Sequence, residues 1–129
     1  MGKYNAKTHQ KYYCTPKGRA YQLYHMARSR ALKRGLPITI DGKWVLERLN
    51  VGCCEVTGIP FTFKIEETYG KYNNAQPHSP TLDRIDPKLG YTPENTMVVV
   101  AIYNFCKMHW AHRDVLHFAK QLLLKEGVG

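Results

Sequence analysis

Residues 81–107 read TLDRIDPKLGYTPENTMVVVAIYNFCK, and this stretch decides the fold. A short apolar run ends at Asp83, and Ile85, Asp86 and Pro87 follow it. Residues 88–91 form a glycine-centred bend, and Pro93-Glu94-Asn95 is a second turn signal. Residues 96–100 are a run of Thr and Val broken only by Met97, which predicts a strand. Residues 101–108 then predict a helix, on which Asn104 and Lys107 share a face. Strand, loop, strand and helix in so short a span cannot hold a core alone. They can set a carboxylate and an amide side by side.

This order of residues resembles the HNH, or His-Me finger (ββα-metal), endonucleases, especially the small phage-type members. The family pattern runs Asp-His-Ile-x-Pro, a Gly turn, an Asn before the second strand, and an Asn or His followed three residues later by Lys. Asp83, Ile85, Pro87, Gly90, Asn95, Asn104 and Lys107 fit it. Arg84 departs from it, standing where the family usually carries the histidine that activates water. The match is specific over residues 78–107 and looser over residues 54–61.

The resemblance implies an α+β fold, a ββα-metal core with N-terminal basic helices and a C-terminal amphipathic helix. It implies a metal-dependent DNA endonuclease of phage or mobile-element type, nicking or cutting double-stranded DNA. Asp83 and Asn104 would be the metal ligands, Lys107 would touch the phosphate, and Asn95 would hydrogen-bond across the loop between the strands. Phosphodiester hydrolysis needs a positioned water and relief of the charge on phosphorus and leaving oxygen. Mg²⁺ (or Mn²⁺) suits that task, and it accepts one carboxylate plus one amide oxygen while keeping several waters.

Arg84 stays protonated and cannot serve as the base, although a guanidinium suits a phosphate. His78, between Pro77 and Pro80, is the nearest histidine and the candidate base; the competing reading is an exposed loop histidine. His109 and His112 are second choices. A protein that keeps the fold and binds nucleic acid but has lost catalysis at Arg84 is the alternative function.

Around this motif the chain has 129 residues, the length of one domain with a modest core, and 43% hydrophobic residues. We expect a single domain over residues 1–129: a basic arm and helices (1–50), a hairpin and the ββα motif (51–110), and a closing helix (111–129). No apolar run approaches membrane length and no signal core opens the chain, so we expect a cytoplasmic protein, in a bacterial cell or phage-infected host.

The net charge is +9, and all of it resides in residues 1–48, where 11 Lys/Arg face only Asp41 and Glu47. Such an excess marks a polyanion partner. Lys17, Arg19, Arg28, Arg30, Lys33 and Arg34, with Arg84, are the candidate nucleic-acid contacts, and the protein is expected to act as monomer or homodimer.

Residues 1–16, with Tyr4, Tyr12 and Tyr13, read as an arm. Residues 17–34 predict a helix with Ala20, Leu23, Tyr24, Ala27 and Ala31 on its apolar face, stopped by Gly35 and Pro37. Asp41 should cap a second helix through Asn50 that buries Trp44, Val45 and Leu49. Residues 52–61 predict a tight hairpin. Many HNH proteins carry a structural zinc here; Cys54 with Thr57 and Val100 with Tyr103 stand at its two knuckles, so we expect packing in its place. A zinc site from Cys53, Cys54, Cys106 and His109 would have poor spacing, and free thiols are the expectation. Residues 62–80, with Lys64, Glu66, Glu67, Asn73 and Asn74, read as a loop. Asp114 should cap a last helix whose buried face is Val115, Phe118, Leu122 and Leu123.

Overall fold

In the computed structural model the described residues are 12–63 and 76–128, so Tyr4 and residues 64–75 of the predicted arm and loop lie outside them. Helix α1 spans Pro16–Arg34; the Thr15 hydroxyl caps its start, and Gly35 ends it at φ 65°, a conformation glycine adopts without cost. Helix α2 spans Gly42–Val51, and the Asp41 carboxylate accepts the Trp44 N–H at 2.8 Å, as expected. Residues 52–61 fold back through the antiparallel bridge of Cys53 with Pro60.

Strands β1 (Pro80–Arg84) and β2 (Thr96–Val100) pair antiparallel, with Leu82 opposite Val98 and Asp83 opposite Met97. Helix α3 (Ala101–Lys107) follows β2 directly, and helix α4 (His112–Lys125) follows a break at Met108, where φ is 49°.

Strand alternation divides the hairpin between two layers. Leu82 and Val98 face α1 and α2, packing with Ala20, Ala27, Ala31, Val45 and Leu49. The three alanines let α1 approach closely, and each buried Val or Leu contributes about 1.5–3 kcal/mol. Val99 faces α3 and packs with Cys54, Val100 and Tyr103. Trp44 is half-buried instead of buried, because it carries the Arg48 guanidinium on its ring at 4.5 Å.

The free side of β2 is paired too. The Glu55 N–H donates to Val98 O at 3.1 Å, and the Glu55 carboxylate accepts the Val98 N–H at 2.6 Å while pairing with Arg48. The link between α1 and α2 holds the loop between the strands, since Tyr91 N–H donates to Pro37 O and Thr39 N–H to Tyr91 O. Gly90 is required there: a Cβ would stand 2.0 Å from Pro37 O.

The last helix departs from expectation. Asp114 is not its cap but lies inside its first turn, where the carboxylate accepts the Ala111 N–H at 3.0 Å. Phe118, Leu122 and Leu123 are 59%, 52% and 50% exposed, so α4 does not close the core; Val115 alone of the expected face packs inward. Amphipathic spacing reports an apolar stripe, not what covers it. Among the described helices none is long and apolar enough to cross a membrane.

Candidate active site between β1 and α3

Thr81 and Asp83 alternate with Leu82 and therefore face α3. Asp83 is 3% exposed; its Oδ1 accepts from Lys107 Nζ at 3.2 Å, and its Oδ2 has no partner among the described residues. Lys107, 2% exposed, also donates to Arg84 O at 3.1 Å. Asn104 donates from its amide nitrogen to Thr81 Oγ1 at 3.0 Å and to Leu82 O at 3.1 Å. That fixes the amide plane and leaves Oδ1 as the acceptor of the Asn104 side chain.

Burial pushes the Asp83 carboxyl above its ordinary value, while the Lys107 ammonium, through its charge and hydrogen bond, and the Arg84 charge pull it back. A buried carboxylate with one oxygen satisfied by an ammonium and one left open is electrostatically incomplete. Two hard oxygens, Asp83 Oδ2 and Asn104 Oδ1, are a donor set that fits a hard divalent cation. Lys107, expected at a phosphate, instead holds the carboxylate so that Oδ2 is the open atom.

Asn95 is buried, accepts the Asp86 N–H at 2.8 Å, and donates to Asp86 O at 3.0 Å and to Gly90 O at 2.9 Å. It ties the two ends of the loop between the strands, and it does not reach α3 by any of these bonds.

Arg84 alternates to the face opposite Asp83. Its guanidinium donates to Pro87 O at 3.0 Å and Leu89 O at 3.2 Å, and it lies 5.2 Å from the Tyr91 ring centre. Here it anchors the loop. His78 sits in an exposed turn pinned on both sides: its carbonyl accepts from Thr62, and Pro77 O and Ser79 O accept the N–H groups of Ile102 and Ala101 at the start of α3. His112 is tied to the buried Tyr103 hydroxyl through Nδ1 at 2.8 Å, and His109 is exposed.

Of the expected nucleic-acid contacts, Lys17, Arg28, Arg30, Lys33 and Arg34 are exposed along α1. Arg19 is a correction: it is 8% exposed and its Nε donates to Tyr13 O at 3.1 Å, so it braces the start of α1 rather than facing solvent. Burial lowers its pKa, the cost of turning a cation inward.

Where zinc knuckles would meet, Cys54, Val100 and Tyr103 converge in one apolar cluster. Burial pushes the Cys54 thiol up, but hydrogen bonds from the Thr57 side chain and from the backbone of Val100, Thr57 and Val56 outweigh it, and its pKa is lowered. Cys53 is half-buried and Cys106 exposed; among the described residues no three His, Cys, Asp or Glu side chains are grouped to hold a metal.

Two contributors were not singled out from sequence. Thr81, two residues before Asp83, holds the Asn104 amide, and strand period alone places it on that face. Glu55 completes β2 from 43 residues away in sequence, and nothing local signals it.

No protein-family model matches the chain, and no curated protein matches it. Among solved structures, it is similar to the rare-cutting HNH restriction endonuclease PacI, with a TM-score of 0.56 and 19% identity, over 86% of this chain and 83% of that one. A hairpin whose first strand is tied to the next helix by the Asp83–Lys107 pair and the Asn104 amide is thus set in a fold like that of PacI, and the chain has an HNH-type fold.

Proposed function

We propose that this protein is a metal-dependent DNA endonuclease of phage or mobile-element type. The observation that carries this reading is the open, buried Oδ2 of Asp83 on the strand to which the Asn104 amide nitrogen is already committed. Asp83 and Asn104 would hold Mg²⁺ or Mn²⁺, which when bound polarises a phosphoryl oxygen and stabilises the leaving oxygen. Lys107 orients the carboxylate, Thr81 orients the amide, and Asn95 with Arg84 keeps the intervening loop in shape. The likeness to PacI supports DNA as substrate, and the exposed cations of α1 support duplex binding through phosphates.

Plasmid cleavage with Mg²⁺ or Mn²⁺ against an EDTA control tests the reading. A competing reading, a nucleic-acid-binding protein without catalysis, is favoured by one observation: Arg84, at the position of the family's base, is bonded into the loop. Binding without metal-dependent cleavage would establish that reading and sink ours.

His78 is the candidate base. His78→Ala should lower the cleavage rate by ~10²-fold. A variant matching wild type in rate would return His78 to the status of a loop residue.

Arg28, Arg30, Lys33 and Arg34 occupy the last turns of α1. Each neutralised phosphate contributes about −0.9 to the slope of log affinity against log salt. Replacing all four by Ala should flatten that slope by roughly two units or more. An unchanged slope would put the DNA on another surface.

A further inference from the structure

Helix α4 has 14 residues and no buried residue. Isolated helices shorter than about 12–15 residues are marginal in water, and most helices in proteins draw their stability from a packed apolar face. Such a face exists here. At 100° per residue, Phe118, Leu122, Val115, Ala119, Leu123 and Leu116 fall in one continuous arc. Only Val115 and Ala119, towards its first half, are half-buried against the body of the protein. The remaining four are 50–59% exposed, and the neighbouring Phe105 and Met108 are 57% and 61% exposed.

At roughly 200 Å² for a large apolar residue, these six expose about 600 Å². That is the upper end of the largest apolar patch on a typical monomer. Non-obligate interfaces are about 57% apolar, so this much apolar surface corresponds to about 1,000 Å² per partner, above the ~800 Å² of a standard interface.

We infer that α4 is the contact through which two copies of this chain associate. The area is that of a stable dimer, and the charge permits it. The +9 lies wholly in residues 1–48 and residues 49–129 balance at zero, so the polybasic stretch is not itself part of the α4 contact. A nucleic acid would not cover leucines and a phenylalanine. In an antiparallel arrangement Leu116 of one copy lies level with Leu123 of the other, and Asp114 level with Lys125, opposite charges at both ends of the contact. This inference stands apart from the nuclease reading, because it uses no residue of the Asp83 site.

Light scattering and sedimentation on the full chain decide it. The wild-type protein should show twice 14.9 kDa at micromolar concentration. Leu122→Glu with Leu123→Glu should return it to 14.9 kDa. Both positions are half-exposed, so the core and its thermal transition should survive. Lys120→Glu, on the polar side of α4, should remain dimeric. A wild-type protein monomeric at ~100 μM would overturn the inference and leave the face to a different protein, and a dimer that survives both Glu substitutions would place the interface elsewhere.

Discussion

Asp83→Asn is expected to lower plasmid cleavage by ~10³-fold or more while leaving DNA affinity equal to or above that of wild type. A bound cation is worth several kcal/mol of transition-state charge stabilisation, and about 1.4 kcal/mol is a factor of ten in rate. The amide keeps an oxygen to accept from the Lys107 ammonium, which in the wild type donates to Oδ1 at 3.2 Å, so the hydrogen bond is kept while the counter-charge is lost, a cost that thermal unfolding reads. What is lost is the negative charge on a buried oxygen with no other partner. Removing that charge also raises the net charge of the protein, which favours a polyanion. Cleavage, filter binding and thermal unfolding of the same preparation separate the outcomes. Wild-type cleavage by Asp83→Asn would remove Asp83 from the chemistry.

Lys107→Met is expected to destabilise the protein by about 3–5 kcal/mol near neutral pH, the usual cost of stripping one partner from a buried pair. The pair is 2% and 3% exposed, so water cannot replace the ammonium. The deficit should depend on pH in a defined direction. Burial already holds the Asp83 carboxyl above its ordinary value, and without Lys107 the two largest pulls that oppose burial are gone. Between the unfolded pKa and this raised folded pKa, the folded variant binds more protons than the unfolded chain. Its stability therefore increases as pH falls through that window and is lost as pH rises through the folded pKa. Urea unfolding of both proteins at several pH values should show the gap between them narrowing towards acid. A constant gap, or one that widens in acid, would mean that Asp83 and Lys107 are not an electrostatic unit. Methionine fills similar volume, so a packing defect alone would give a gap indifferent to pH.

Local chemistry made the elements legible. Thr15, Asp41 and Gly35 act on neighbours within a few residues, so their helix ends follow from short-range hydrogen bonding and backbone conformation. The β-branched run at Thr96–Val100 and the alternation of Thr81, Leu82 and Asp83 assign the strands and their faces in the same way. The order Asp83, Asn95, Asn104, Lys107 is likewise a linear pattern, and the likeness to an HNH fold follows it.

The roles inside that pattern depend on distances that spacing does not encode. Lys107 and Arg84 are both cations suited to a phosphate, yet one is sealed against Asp83 and the other is drawn into the loop by Pro87 O and Leu89 O. Arg19 belongs to the basic helix by sequence and to the interior by burial, because Tyr13 O lies within reach of its Nε. The arc of Phe118, Leu122 and Leu123 is as apolar as a core face, but among the described residues nothing covers it beyond the turn at Met108. Periodicity and capping are properties of a few consecutive residues, whereas burial and ion pairing depend on groups brought together from far along the chain. Thus the helices, the strands and the Asp–Asn–Asn–Lys series were present in the order of residues, and the pairing of Lys107 with Asp83, the turning of Arg84 and the bare face of α4 came from packing.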